Sequence, residues 1–435
     1  MSIVCKFGGT SLASSENIRR VRDIVNSNNE RRFVVVSAPG KRCKDDIKIT
    51  DCLIECFNLS KKGECYANTL GTIKERFNGL KADLNVNCDL TEDFNKLEEA
   101  IKNHVDYDYI VSRGEYFSAR IISAFFGFKF VDASSLIVFD EEGKVDLEVT
   151  NKLVEEHLTE GNFVVPGFYG VDKTGAIKVF SRGGSDLSGA ILANALKCSV
   201  YENWTDVDGF MASDPKLIDN PPVIKKLTYH ELRELSYMGA TVLHPSCTGF
   251  LKDKGIAINL RNTFNPESEG SLIVPDDEHE KSDTITGIAG QKGFTILHLE
   301  KYDLNESLGL IETIAKIFKK HKVSIEHIPT GIDSVSIIFK SKIKEEVLEQ
   351  IQNDLIEEII PDKMQIIESV ALISVVGNAL RNNFMLERKA FESVFMCVVE
   401  LLTVNKGAKG MSIIFGVAEE NFKKVSKSLF VNLIR

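Results

Sequence analysis

Through residue 265, short runs rich in β-branched and aromatic residues alternate with longer stretches whose apolar residues recur every three or four positions. Ile3–Phe7 and Phe33–Ser37 are continuous apolar runs of the kind that parallel strands bury on both faces. Between them, Ser14-Ser15 can cap a helix carrying Ile18, Val21, Ile24 and Val25 on one side. Further strands are expected at Tyr109–Ser112, Lys129–Val131, Phe163–Val165, Val200–Trp204 and Ile256–Leu260, and helices at Tyr116–Phe126, Ser188–Leu196 and Tyr229–Met238. The last has Thr228 and Glu231 at capping-box spacing and Gly239 as its stop. This alternation predicts an α/β domain on a parallel-dominated sheet.

The polar, acidic stretch Asn265–Asp283 then reads as a linker. Beyond it the pattern repeats. Ser336-Ile337-Ile338-Phe339 recurs as Ser412-Ile413-Ile414-Phe415, an offset of 76, and the same offset lays Ile296-Leu297-His298-Leu299 on Leu372-Ile373-Ser374-Val375. Each copy runs strand, helix, strand, strand, helix, which predicts two duplicated α+β modules of about 70 residues. The segment Thr284–Gly290 is a candidate strand to complete the second module, nesting the first inside it.

Composition narrows the function classes. The 435 residues suit two or three domains, and 43% apolar content excludes wholesale disorder. A net charge of −10 argues against nucleic acid or an anionic membrane surface as the main partner, while allowing a local basic pocket for phosphate. No signal-peptide pattern opens the chain and no uncharged run is long enough to span a bilayer, so a cytoplasmic protein is expected. The nine cysteines form no C-x-x-C pair and have no histidine at ligand spacing, so they read as buried free thiols.

Three motifs carry chemistry. Lys6-Phe7-Gly8-Gly9-Thr10-Ser11 leads from a strand into a helix, and glycines at such a turn let backbone N–H groups approach a phosphate while Lys6 adds a full charge. It is neither a Walker A loop nor G-x-G-x-x-G; a tight turn with a surface lysine is the plain structural alternative. Ser181-Arg182-Gly183-Gly184-Ser185-Asp186 opens a second helix with an arginine suited to a carboxylate and an aspartate able to orient a lysine or metal, or merely to cap. Ser112-Arg113-Gly114-Glu115 is expected to end a strand, where Glu115 serves either a helix dipole or a substrate ammonium. The stretch Glu202–Gly209 offers Thr205 and Asp206 for ribose or base edges, or simply a capped loop. No protein-kinase motif set is present, and His244 lacks a nucleophile partner and reads as structural.

Together with Trp204-Thr205-Asp206-Val207-Asp208-Gly209, Asp214-Pro215-Lys216 and Val242-Leu243-His244-Pro245, these motifs resemble the aspartate kinase (aspartokinase) family over essentially the whole chain. The resemblance implies an amino-acid kinase fold, a mostly parallel sheet sandwiched by helices, over residues 1–275, followed by two α+β ACT domains at 284–360 and 366–435. It implies transfer of the γ-phosphoryl group of ATP, with Mg²⁺, to the β-carboxylate of L-aspartate, the first step toward lysine, threonine and methionine. Lys6 and Asp186 would be catalytic, with Asp186 positioning the lysine and the phosphates. Glu115 would hold the substrate ammonium and Arg182 its α-carboxylate, with Ser37, Thr50, Gly183 and Ser185 lining the pocket. Lys6, Phe7, Gly8, Gly9, Thr205, Asp206, Met211, Lys216 and Thr241 would surround ATP, and no direct protein ligand to a metal is expected. Met211 stands where relatives often have an aromatic residue, Thr241 where some have lysine, and Lys41-Arg42-Cys43-Lys44-Asp45-Asp46 is longer than the family pattern.

The tail resembles amino-acid sensors that pair across subunits, so a homodimer or homotetramer is expected. Ser307, Gly309, Leu310, Glu326 and Thr330 are the effector candidates, for lysine first and threonine as competitor, with Glu326 taking the ammonium. From this length no fused homoserine dehydrogenase is expected. A glutamate or N-acetylglutamate kinase and a catalytically silent amino-acid sensor are the alternatives.

Overall fold

The computed structural model describes residues 2–104, 106–181, 183–240, 242–244, 246–279, 283–408 and 410–435. Up to His279 the strands are β1 (Ile3–Phe7), β2 (Arg31–Val36), β3 (Lys129–Phe130), β4 (Phe163–Pro166), β5 (Tyr169–Val171), β6 (Ile177–Val179), β7 (Val200–Thr205), β8 (Lys226–Thr228), β9 (Ala257–Asn262) and β10 (Ser271–Val274). The helices are α1 (Ser15–Asn26), α2 (Ile49–Lys61), α3 (Ala67–Leu84), α4 (Thr91–Lys102), α5 (Tyr107–Phe126), α6 (Leu147–His157), α7 (Gly184–Ala195), α8 (Tyr229–Tyr237) and α9 (Cys247–Leu251). The remainder holds β11 (Gly287–Glu300), α10 (Leu310–Lys320), β12 (Ile325–His327), β13 (Ser334–Lys340), α11 (Glu345–Ile359), β14 (Lys363–Val376), α12 (Phe384–Phe395), β15 (Thr403–Asn405), β16 (Ser412–Ala418) and α13 (Phe422–Leu433).

Two compact units result. The first comprises Met1–Phe210, Val223–Tyr229 and Val242–His279; the second comprises Met211–Pro222, His230–Thr241 and Glu280–Arg435. Two segments of the expected catalytic stretch therefore belong to the second unit.

In the first unit an eight-stranded sheet runs β3-β4-β2-β1-β7-β9-β10-β8, parallel except where β9 meets β10. Alternation along β1 divides its side chains between two faces. Ile3, Cys5 and Phe7 join Val34, Val36 and Trp204 in a buried cluster with helices α1 to α5. Lys6 faces the other way, toward α7. Ser14 caps α1 by accepting the Asn17 N–H, and Ile18, Val21, Ile24 and Val25 are its buried face.

Three expectations need correction. Tyr109–Ser112 is not a strand but part of α5, so Glu115 sits inside a helix. Asp106 caps that helix through the Asp108 amide, and Ile110, Gly114, Phe117 and Ile121 extend a buried stripe at helical period, which a four-residue apolar window does not reveal. The expected linker contains β10, because Leu272-Ile273-Val274 buries against β9 and β8 despite its polar flanks. Among the cysteines, Cys43 and Cys65 are exposed, while the other seven are buried and all are free.

The second unit is built on one antiparallel sheet of order β12-β13-β11-β14-β16-β15. The offset repeat falls on its two halves: β11, α10, β12, β13, α11 match β14, α12, β15, β16, α13. Leu297 pairs with Ile337, whereas Ile373 pairs with Phe415, two residues beyond the repeat's equivalent, so each side chain keeps its face. β11 and β14 are long strands shared by both halves. Gly287–Phe294 lies along the half of β14 that pairs with β16, and Ile296–Glu300 along the half that precedes it. The break falls at Gly293, whose φ of +90° suits glycine. Among the described residues no helix is long and apolar enough to cross a membrane.

Candidate active site

The carboxyl ends of β1, β2, β4 and β7 bring the predicted motifs together. At β1, Lys6 extends its ammonium to within 2.6 Å of an Asp186 oxygen in the first turn of α7. Asn203, paired with Lys6 in the β1–β7 register, donates to the same carboxylate at 2.9 Å, and the Tyr201 hydroxyl donates to the Asp186 carbonyl at 3.0 Å. The His244 N–H reaches the second Asp186 oxygen at 3.4 Å, and its ring fills the space where a Cβ on Gly183 would stand. Gly183 has φ +60°, so both backbone and space demand glycine at this helix start. Gly8 donates its N–H to the Trp204 carbonyl at 3.0 Å, leaving the Lys6–Gly9 turn anchored to β7.

A second loop closes against this turn. Gly40 donates to the Gly9 carbonyl at 2.8 Å, and a Cβ on Gly40 would come within 2.7 Å of Gly9 backbone. Two residues earlier, the Ala38 N–H bonds the Glu115 carboxyl. Helix α5 comes this close because residue 114 is glycine: a Cβ there would strike Ala38 at 2.8 Å. Glu115 is buried, its Oε2 has no hydrogen-bond partner, and burial pushes its pKa from 4.5 up to about 8. Ser37 follows β2 and donates its N–H to the Phe7 carbonyl at 3.2 Å, while Thr50 is half-buried in the first turn of α2. Gly167 packs against Ser185 so tightly that a Cβ would approach within 2.8 Å, and its N–H donates to the Val36 carbonyl.

Lys6, Gly8, Gly9, Ser37, Glu115, Gly183, Ser185 and Asp186 thus surround one end of the sheet. Arg182 and Thr241 lie outside the described residues. Thr205, at the end of β7, bonds Asp206 at 3.2 Å and accepts the Thr263 N–H at 2.9 Å. Met211 and Lys216 belong to the second unit, where the exposed Lys216 donates its N–H to Asp214. Asn203, the Pro166-Gly167-Phe168 turn and the His244 amide were not anticipated. The Pro-Gly pair ending a strand was the available signal for the turn, whereas Asn203 and His244 become visible only in three dimensions.

The chain is similar to known proteins over almost its whole length. Residues 1–262 match the amino acid kinase family. Aspartokinase 3 of Bacillus subtilis is 34% identical, with 98% of this chain and 97% of that protein aligned. The crystal structure of Clostridium acetobutylicum aspartate kinase is 37% identical with a TM-score of 0.93, covering 99% of this chain and all of that one.

The chain belongs to the aspartokinase family.

Its activity is that of an aspartate kinase. Escherichia coli aspartokinase III, solved with aspartate and ADP, shares the aspartokinase fold at 23% identity and a TM-score of 0.78; another structure of it holds lysine and aspartate. The second unit's sheet is the ACT part of this aspartokinase. There a cavity of about 370 Å³ is lined by Leu304, Ser307, Gly309, Leu310, Thr330 and Ser334 among others. It gathers four of the five effector candidates. Glu326 is the exception: it lies on β12, and the Tyr237 hydroxyl donates to its carboxylate.

Beneath the Lys6–Gly9 turn of the aspartokinase lies a charge cluster centred on the buried Glu202 that the motifs did not reveal. Glu202 accepts from Arg31 at 2.8 and 3.1 Å and from the Trp204 indole at 2.9 Å, while Arg31 and Arg261 stand over the Trp204 ring at 5.2 and 4.6 Å. It braces the residue whose carbonyl holds Gly8.

Proposed function

We propose that this aspartate kinase transfers the γ-phosphoryl group of ATP to the β-carboxylate of L-aspartate, giving 4-phospho-L-aspartate in the cytoplasm, and that lysine inhibits it through the ACT cavity. The observation that carries the substrate assignment is the unpartnered, buried oxygen of Glu115, whose carboxyl meets Ala38 two residues before the Gly40 that bonds the Gly8–Gly9 turn. A buried acceptor without a donor is costly, and a substrate α-ammonium both satisfies it and favours its ionised form. An N-acetylated amine offers no such charge.

The chemistry then asks little of general acid–base groups. An aspartate side chain of pKa about 3.9 arrives ionised, so the nucleophile needs no base. Lys6 meets the transferring phosphoryl charge, Asp186 with Asn203 keeps Lys6 aimed, and the Gly8–Gly9 and Gly183–Ser185 turns offer backbone N–H groups. Among the described residues no group of three or more His, Cys, Asp or Glu is arranged to hold a metal. The donor set fits Mg²⁺ carried on ATP oxygens with Asp186 as the nearby carboxylate, and the ion would supply charge neutralisation there.

Residues 1–275 are assigned to the catalytic domain and 284–360 and 366–435 to the ACT pair, with Gly287–Lys292 completing the second module around the first. Assembly as a homodimer or homotetramer through the ACT modules follows the same reading. A protein of this fold that binds aspartate with ADP, and lysine with aspartate, supports the ligand assignments. The test supplies ATP, Mg²⁺ and either aspartate or glutamate, and traps acyl phosphate with hydroxylamine. Hydroxamate is expected with aspartate, and inhibition with added lysine; equal yield from glutamate refutes the substrate assignment, and an unchanged rate with lysine refutes the effector.

A further inference from the structure

We propose that Arg76 is a positioning residue for phosphoryl transfer, its guanidinium holding the phosphate turn and the aspartate-side loop as one rigid piece. The proposal rests on the reading that these two loops receive ATP and aspartate. Arg76 lies on α3, on a face whose neighbours Ile73, Phe77 and Leu80 are packed into the core, and it is itself 8% exposed. One terminal nitrogen donates to Asp46 at 2.8 Å. The other donates to two backbone carbonyls, Ala13 at 2.9 Å and Gly40 at 2.8 Å.

Those three acceptors come from three pieces of the site. Ala13 closes the short helical turn Thr10–Leu12 that follows Gly8 and Gly9. Gly40 is the residue pressed on Gly9, with Ala38 beside Glu115 in the same loop. Asp46 ties down the remainder of the long Lys41–Lys48 segment, since it also accepts from the Arg42 N–H and guanidinium at 2.8 to 3.0 Å. Hydrogen bonds from Arg42 first, with those of Arg76, hold the Asp46 carboxyl well below the usual carboxylate range. The clamp therefore stays charged wherever the enzyme works.

Energetics favours geometry over stability as its role. A buried ion pair contributes little net stability compared with packed apolar side chains, and the Arg76 Nε is left without a partner. Only a planar fork reaches three acceptors at once; a lysine ammonium is a single point on a flexible stem. Because in-line transfer depends on both reactants being held within fractions of an ångström, loosening this side chain should misalign them together.

The test measures kcat and both KM values for Arg76→Lys and Asp46→Asn, per folded molecule, beside Ile73→Val. Ile73 is fully buried on the same helix but bonded to neither loop, so its variant reports lost stability alone. Arg76→Lys is expected to lower kcat/KM for ATP and for aspartate in parallel, each by about 10- to 100-fold. Asp46→Asn should follow in the same direction, while Ile73→Val lowers Tm and leaves both KM values in place. Wild-type constants in Arg76→Lys, or a change confined to one substrate, overturn the proposal. If Arg76→Lys fails to fold, Asp46→Asn decides by the same criterion. Lys6→Ala runs alongside: wild-type turnover there refutes the placement of ATP at this turn, and the clamp with it.

Discussion

The Lys6 ammonium and an Asp186 carboxylate oxygen lie 2.6 Å apart, joining the first strand of the sheet to the first turn of α7, with side chains only 10% and 15% exposed. Each charge is paired with the other, so Asp186 holds Lys6 in place. Removing the lysine should therefore affect the chemical step. Lys6→Ala is expected to reduce kcat by about 10²–10³-fold with a much smaller change in aspartate KM. Steady-state hydroxamate assays with each substrate varied read this directly; the reverse pattern makes Lys6 a binding residue only.

Glu115 is expected to make the reaction pH-dependent. With a pKa of about 8 in the free enzyme it is mostly protonated at neutral pH, and only the ionised form attracts the substrate ammonium. The kcat/KM for aspartate should rise with pH and level off above about 8, since that quantity reports free-enzyme groups. Glu115→Gln should lose the inflection and raise aspartate KM.

The same shift has a sign for stability. A carboxyl whose folded pKa lies above its unfolded value favours folding at low pH and loses that contribution between about 4.5 and about 8. Glu115→Gln should thus be more stable than the parent at pH 8, by about 5 kcal/mol at most. Denaturant unfolding at pH 5 and pH 8 checks it: a gap that does not widen with pH contradicts the assignment.

Glu202 neutralises a cluster that includes the buried Arg31 guanidinium and the half-buried Arg261. Glu202→Ala should cost about 3–5 kcal/mol, because Arg31 is left buried without its carboxylate. Trp204 is the single tryptophan and hydrogen-bonds Glu202, so its emission should shift in the same variant, and urea titration followed by fluorescence measures both effects at once.

Effector binding should separate Thr330 from Glu326. Thr330 lines the ACT cavity, and Thr330→Val is expected to raise the lysine concentration for half-inhibition about tenfold, the value of one hydrogen bond to a charged ligand. Glu326 is occupied by Tyr237 and absent from the cavity lining. Glu326→Ala should leave calorimetric lysine affinity within about threefold, less than one such bond is worth; a larger loss returns Glu326 to the ligand.

What the sequence determined by itself is what local pattern controls. The buried strands β1, β2, β4 and β7, the Ser14-capped helix, the two glycine turns and the offset repeat are legible because each rests on neighbours in the chain or on self-similarity. Only the tertiary structure turned Tyr109–Ser112 into helix, folded β10 out of an apparent linker, and set Glu326 against Tyr237. It also decided how the candidate site is held together. Asn203 aims at Asp186, Gly40 locks on Gly9, and Arg76 gathers Ala13, Gly40 and Asp46 through contacts between residues far apart in sequence. Glu115 could be named as a carboxylate from its motif. Its protonation could not, because a pKa near 8 comes from burial in the core, which outweighs the lowering effect of the Ala38 amide and which no stretch of sequence encodes locally.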